Sequence, residues 1–358
     1  MSKDGRNILP FFIPHAGCLH QCIFCDQHQI AGTSQLPSDE QIAQTIHNWS
    51  FAGLPQVAFY GGSFTALSKE KQAYFLKPAF LALQQNKIFG IRISTRPDYI
   101  DDDVINFLKS FGVDTVELGV QSLDDNVLKA AGRGHTAAES FKALALLQKA
   151  GFKTGVQIMP GLSEDDERNC LASTWLFLKE KPDMLRIYPT IVLKGTALAK
   201  MYYEGTYKPL SLLEAVEICR DLLAIALSLK ISVIRIGLQP TKDIAWNSSV
   251  VAGPFHPAFG NLVQGALWQK KLKYLLNMYD GSFTLKYIFV AKFCIAPLIG
   301  QNGVNLVWLA QNCVGCKIKE WPLPPGDLAL GNENGPQIVL SEADFLKQYL
   351  ACLQEMIL

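Results

Sequence analysis

Between residues 8 and 189, a short strand-like run is followed again and again by a helical pattern. The runs are 8–13, 57–60, 91–95, 115–120, 153–159 and 185–189; helical patterns fill 39–48, 69–84, 102–111, 137–150 and 164–178. A crossover that contains a helix returns the chain to the same end of the sheet, so consecutive strands must run parallel. Six such units are too few to close an eight-stranded ring. The pattern therefore predicts an α/β fold, a partial (β/α)6 TIM-like barrel.

Beyond Pro189 the rhythm changes. Residues 210–229 read as one long helix, and 232–236 offer a further strand. The pairs Gln239-Pro240, Gly253-Pro254 and His256-Pro257 then break the chain repeatedly. The expected organisation is a barrel over 1–240, a linker over 241–260 and a small α+β module over 261–358.

Composition excludes several classes. The 358 residues are 49% hydrophobic and 18% charged, with a formal net charge of +1. That describes a globular chain with ample core and without a global basic field. The opening MSKDGRNILPFFIPH lacks the apolar stretch of a secretory signal. The most apolar region, 222–236, is interrupted by Lys230, Ser232 and Arg235 and is too short to span a bilayer. A cytoplasmic protein without a membrane partner is expected.

The nine cysteines are odd in number and scattered, which does not describe a disulfide framework. Cys170, Cys219 and Cys352 sit among apolar residues and read as buried thiols. Cys18, Cys22 and Cys25 differ, because they form a CxxxCxxC directly after the first strand. At this cysteine content, such a spacing arises by chance with a probability of roughly 0.006. In an α/β barrel, loops at strand C-terminal ends form the active face. Three thiolates there suit a 4Fe–4S cubane with one open iron, or a zinc ion completed by His15, His20 or His28.

Further motifs separate these alternatives. Gly61-Gly62 follows the second strand, where backbone must approach a ligand closely. CxxxCxFC after strand one with Gly-Gly after strand two resembles the signature of radical S-adenosylmethionine (radical SAM) enzymes. Then come Ser94-Thr95-Arg96-Pro97-Asp98-Tyr99, Glu117-Leu118-Gly119-Val120-Gln121-Ser122 and Arg133-Gly134-His135-Thr136. Met159-Pro160-Gly161-Leu162, Arg186-Ile187-Tyr188-Pro189-Thr190 and Lys194-Gly195-Thr196 complete the series. It resembles the radical SAM domain of the Elongator catalytic subunit, which modifies wobble uridine in tRNA. Gly119-Val120-Gln121-Ser122 also looks like oxygen-independent coproporphyrinogen oxidase.

The resemblance implies a 4Fe–4S cluster on Cys18, Cys22 and Cys25, with S-adenosyl-L-methionine as second cofactor. It implies that Gly61, Gly62, Gln121 and Arg133 bind the methionyl and ribose portions. Arginine suits a carboxylate because its planar fork donates two parallel hydrogen bonds. Phe24 would offer its backbone to the adenine, and Met159 and Pro160 would line it. Tyr188 and Lys194 would face the substrate as catalytic residues, and Arg96 and Glu117 would pair with each other or with substrate. The implied partners are a flavodoxin- or ferredoxin-like reductant and tRNA or another RNA. A porphyrin-like small-molecule substrate, or a non-catalytic iron–sulfur RNA-binding protein, are the competing readings.

The chain also departs from the Elongator pattern. Nothing after Gly260 resembles a Gly-rich acetyl-coenzyme A loop, the cysteine loop is compact, and Ser94 stands where an acidic residue is usual. In the last hundred residues, a strand at 286–290, a helix at 295–299, Gly300-Gln301-Asn302-Gly303, a helix at 304–311 and a strand at 317–319 follow one another. Helix, GxxG and helix resemble a KH module, in which the tight loop clamps a nucleic-acid backbone. Cys313 and Cys316, near Cys294, lack a fourth metal ligand and read as ordinary thiols.

Overall fold

The computed structural model describes residues 7–13, 21–26, 35–238, 244–246, 248–312 and 315–357. The barrel half contains β1 (Asn7–Ile13), α1 (Asp39–His47), β2 (Pro55–Gly61), α2 (Lys69–Gln84), β3 (Gly90–Thr95), α3 (Asp102–Ser110) and β4 (Val113–Gln121). It continues through α4 (Asp125–Ala130), α5 (Ala137–Lys149), β5 (Lys153–Ile158), α6 (Glu167–Leu178) and β6 (Met184–Ile187). After β7 (Val192–Leu193), α7 (Ala197–Tyr203) and α8 (Leu212–Ser228) comes β8 (Ser232–Ile236). The strand order is β1-β2-β3-β4-β5-β6-β8, every neighbouring pair parallel. The expected partial barrel is present, and 232–236 adds a seventh strand to the six.

Local chemistry explains where the helices begin. Thr136 caps α5 and Ser211 caps α8, each in a reciprocal capping box with Glu139 and Glu214. Asp101 caps α3 with its carboxylate on Val104 N, which satisfies an orphan donor at the positive end of the helix dipole.

Strand alternation then sorts the two faces. Val57, Phe59, Ile91, Ile93, Val116, Leu118, Leu185 and Ile187 are buried within the main apolar core. Gln56, Tyr60, Arg92, Glu117 and Arg186 occupy the alternate positions, which places them on the opposite face. That face is both buried and polar, the condition for a chemical cavity rather than a second core.

The remaining chain contributes β9 (Val250–Ala252), α9 (Phe259–Asn277), β10 (Tyr287–Val290), α10 (Ile295–Ile299), α11 (Val304–Asn312) and β11 (Lys317–Glu320). It ends with β12 (Leu328–Asn332), β13 (Gly335–Leu340) and α12 (Glu342–Ile357). A four-stranded sheet has the order β11-β10-β12-β13, with β10 and β11 parallel. The GxxG turn lies between α10 and α11 as expected, with Gly300, Asn302 and Gly303 at positive φ.

This module is fastened to the barrel. Arg220 of α8 donates to Asp221 Oδ1 at 2.8 Å and to Tyr349 Oη of α12 at 3.0 Å, and the tyrosine hydroxyl donates to Asp221. The apolar core runs without interruption from α8 through α9 into β10 and α12. Among the described residues, no single helix is long and apolar enough to cross a membrane.

The cysteines bring two corrections. Cys170 and Cys219 are buried as expected, but Cys352 lies on the exposed side of α12, because the apolar stripe of that helix runs through Phe345, Tyr349 and Leu353 instead. Cys316 is disulfide-bonded rather than an ordinary thiol, while Cys294 is a free, buried thiol. Cys313 lies outside the described residues.

Candidate active site

The site collects at the C-terminal ends of the strands. At the end of β2, Gly61 has φ +112°, and a Cβ there would stand 2.8 Å from Ile13 O. Gly62 N donates to the same carbonyl at 2.9 Å. The glycine pair thus lets the ends of β1 and β2 close on one another, just where the cysteine loop departs.

Cys22 and Cys25 lie on one tight turn, with Cys25 N donating to Cys22 O at 3.1 Å. Two anchors hold that turn: Ile23 N donates to Ala131 O at 3.1 Å, and Leu198 N donates to Ile23 O at 2.8 Å. Phe24 is buried among Val127, Ala131, Leu162 and Leu198, with Met159 packed against the same cluster. Its side chain is therefore a core aromatic, which leaves only its backbone to meet a ligand. Cys18 lies outside the described residues, as do His15, His20 and His28.

The link from this turn to the sheet is Arg133. Its Nη1 donates to Cys22 Sγ at 3.3 Å, its Nη2 donates to Gly119 O at 2.5 Å, and its Nε is buried with no hydrogen-bond partner. Gly132, at φ +66°, lets this segment pass the loop, since a Cβ there would lie 3.0 Å from Gln21 O.

At the end of β4, Gln121 has φ +71°. A non-glycine residue in that region costs of order 1–3 kcal/mol and tends to mark a functional constraint. Its carbonyl accepts from Met159 N at 2.8 Å, and its Oε1 accepts from Gln157 Nε2 at 2.9 Å. A Cβ on Gly119 would stand 2.9 Å from Gln121 Nε2 and 3.4 Å from Arg133 Nη2. Gly119, Gln121, Arg133 and Cys22 therefore converge. Pro160 is buried, and its carbonyl accepts from Thr190 N at 2.9 Å.

Beneath this level lies a network that the sequence reading did not assemble. Glu117 accepts from Arg92 Nη1 at 2.6 Å and from Arg186 Nε. Arg186 also donates to Tyr60 Oη and to Tyr188 Oη, each at 3.0 Å. Burial alone would raise the Glu117 pKa, but Arg186 and then Arg92 override it and hold the carboxyl below its ordinary range. Two guanidiniums against one carboxylate leave this layer net positive. Tyr60 is pushed up by burial and then by Glu117, so it stays a neutral phenol. Arg92/Ser94, Thr115/Glu117 and Arg186/Tyr188, polar at alternate strand positions, with Gln56 and Tyr60 on the same face of β2, were the signal that could have found it.

Three other expectations resolve. Arg96 pairs with Asp98 at 2.8 Å and Glu117 with Arg92 and Arg186, so Arg96 and Glu117 do not pair with each other. Tyr188 joins the inner network through its hydroxyl. Lys194 has an exposed side chain past β7, and its amide donates to Ser249 O at 2.8 Å, so the two expected catalytic residues occupy different settings.

Two buried groups have no role assigned from the sequence. His135 faces Val120 O at 3.2 Å through Nε2, while Nδ1 is buried without a partner. Burial first and Arg133 second push its pKa down to about 3, which keeps the ring neutral. Asp165 has a buried Oδ1 without a partner, and burial followed by Asp166 pushes its pKa up to about 7.

The residues present fit the implied cofactors. Two cysteine sulfurs on one turn suit a cluster edge, and the buried, unsatisfied Nε of the Arg133 guanidinium suits an anionic group. With Cys18 undescribed, no group of three metal-binding side chains appears among the described residues.

Comparison with known proteins agrees. Residues 12–170 match the family model of the radical SAM superfamily, and 182–269 match that of a radical SAM C-terminal domain. The tRNA uridine(34) acetyltransferase of Methanocaldococcus jannaschii is 32% identical over 183 residues, 46% of this chain and 34% of that protein. Human Elongator complex protein 3 is 32% identical over 208 residues, 52% of this chain and 37% of that protein. The chain thus spans about a third of the length of these two curated relatives. The structure of archaeal Methanocaldococcus infernus Elp3 with an N-terminal deletion superposes with TM-score 0.56 at 24% identity, covering 76% of this chain and 63% of that one. That likeness establishes the fold.

Proposed function

The chain belongs to the radical SAM superfamily, and from that premise we propose that it cleaves S-adenosylmethionine reductively to modify an RNA, with a uridine in tRNA the favoured target. When bound, a 4Fe–4S cluster and S-adenosylmethionine would supply 5′-deoxyadenosyl radical chemistry, for hydrogen abstraction or radical addition. The chain's own residues bind, orient and shield. Cys18, Cys22 and Cys25 would hold the cluster. Gly61, Gly62, Gln121 and Arg133 would hold the methionyl and ribose parts, with the Phe24 backbone, Met159 and Pro160 around the adenine.

One observation carries the reading: Arg133 bridges Cys22 to Gly119 beside the strained Gln121, so the cluster loop and the cofactor residues share one spot. The net positive layer of Arg92, Glu117 and Arg186 beneath it suits an anionic substrate such as RNA. Tyr188, oriented by Arg186, would meet that substrate, and Lys194 would reach it from the rim. RNA as substrate draws further support from the two curated relatives, whose names denote work on tRNA uridine or in Elongator. A flavodoxin- or ferredoxin-like protein would deliver the electron.

Anaerobic reconstitution tests this. About four irons per chain and release of 5′-deoxyadenosine on adding dithionite and S-adenosylmethionine are the expected result. A fully loaded protein that never cleaves the cofactor would refute it. Nucleoside mass spectrometry of tRNA from cells lacking the protein should reveal a missing modified uridine.

A further inference from the structure

The end of β4 is not a regular strand end. Against β5 the register steps from Leu118 opposite Val156 to Gln121 opposite Ile158, so β4 carries one extra residue there. Such a bulge re-aims a side chain and is common beside active sites. Within it, Ser122 N donates to Val120 O at 3.0 Å, while Gln121 between them has φ +71°. A hydrogen bond closed across one residue of positive φ is the rarer, strained form of the γ-turn.

The turn decides how Gln121 is presented. Its carbonyl accepts from Met159 N and its Oε1 from Gln157 Nε2, both on the β5 side. With that oxygen taken, the amide presents Nε2, a donor only, toward Gly119 and Arg133. Were the turn to relax to negative φ, the peptides on either side would rotate and carry the amide away from that spot.

The group that holds the turn is His135. Its Nε2 lies 3.2 Å from Val120 O, the same carbonyl that closes the turn. A carbonyl only accepts, so Nε2 carries the proton, and Nδ1, buried without a partner, is the bare nitrogen. The two lone pairs of Val120 O thus go to Ser122 N and to His135. His135 is 4% exposed and Val120 is fully buried, so solvent cannot take over this bond. The imidazole is rooted at a fixed helix start: Thr136 caps α5, and Ala137 N donates to Asp125 Oδ1 at 2.7 Å. Two residues earlier, Arg133 grips the Gly119 carbonyl, and Gly134 at φ +69° turns the chain between the two side chains. One tripeptide therefore holds two adjacent carbonyls of the bulge.

We propose that His135 is a positioning residue for the cofactor site: its Nε2–H, donated to Val120 O, latches the γ-turn that aims the Gln121 amide. It acts through Gln121 rather than on the cofactor. The inference rests on the cofactor reading of Gln121 given above and adds the residue that sets its geometry.

Equilibrium dialysis of S-adenosylmethionine against the cluster-loaded, unreduced full chain tests this, with iron content and thermal midpoint read on each sample. Affinity should fall about tenfold in His135→Ala, where the buried Val120 carbonyl loses a donor. His135→Asn should fall likewise, because its amide ends at the Nδ1 position. His135→Gln, whose Nε2 overlays the imidazole Nε2, should recover most of the loss. Glycine adopts positive φ without strain. In a Gln121→Gly background the His135→Ala penalty should therefore shrink to within about twofold. Iron should stay at the parent level throughout, since no cysteine changes. Equal affinity of His135→Ala and parent, no recovery in His135→Gln, or the full penalty persisting beside Gln121→Gly would each overturn the latch. If the alanine variant does not fold, the contrast between asparagine and glutamine decides alone. A parent that binds S-adenosylmethionine beside variants that do not differ from it refutes the latch alone. A parent that binds none refutes the cofactor reading, and the latch with it.

Discussion

Arg133 holds Cys22: its Nη1 lies 3.3 Å from the cysteine sulfur while its Nη2 grips the Gly119 carbonyl at the end of β4. One side chain, 111 residues away in sequence, thus couples the cysteine loop to the strand that carries Gln121. A planar fork suits this task, because two donors leave in fixed directions and a third remains for a ligand.

Replacing Arg133 by Ala should therefore separate two properties. Iron content after reconstitution should stay near that of the parent, because no cysteine is removed. S-adenosylmethionine affinity, read by equilibrium dialysis, should fall at least about tenfold, since a hydrogen bond to a charged group contributes about 1.5–3 kcal/mol. Lysine should rescue little, as it has no fork. Undiminished affinity in the alanine variant would remove Arg133 from the cofactor site.

Glu117→Gln should destabilise the chain by about 3–5 kcal/mol, because it leaves Arg92 and Arg186 as buried charges without a counter-ion. Urea unfolding at neutral pH measures this. The folded pKa of Glu117 is depressed, so its contribution is present above the unfolded value of about 4.3 and is lost as pH falls through the folded one. The difference between parent and variant should therefore shrink in acid.

His135 and Asp165 should tilt stability in opposite directions. The folded pKa of His135 is about 3 against an unfolded value of about 6.5. Below that value the unfolded chain takes up a proton that the folded chain refuses, so stability falls with decreasing pH. Asp165 is raised to about 7, so above about pH 4 the unfolded chain releases a proton that the folded chain keeps, and stability falls with rising pH. His135→Gln should flatten the acid limb of a stability–pH curve, and Asp165→Asn should raise stability at pH above 7 by roughly 1–3 kcal/mol. Unchanged limbs would place both groups in water.

Gly61→Ala should lower the thermal midpoint and the iron content together. Its Cβ would meet Ile13 O at 2.8 Å, and its φ of +112° is strained for any L side chain, a cost of about 1–3 kcal/mol. Differential scanning calorimetry and iron assay of one preparation read both. Normal iron with a lowered midpoint would separate the strand-end contact from the cluster loop.

The sequence alone determined the parallel barrel, the place of the cysteine loop after strand one and the GxxG between two helices. These follow from periodicity, spacing and turn chemistry, all of which act within a few residues. Only the tertiary structure decided that Glu117 sits between Arg92 and Arg186, that Arg96 turns to Asp98, and that Cys352 faces outward while Phe24 faces the core. The reason is physical: an ion pair across three strands, or the rotation of a helix against its neighbour, is settled by which side chains meet once the sheet has curled. His135 and Asp165 make the same point, since burial sets their charge and burial is a property of the assembled fold.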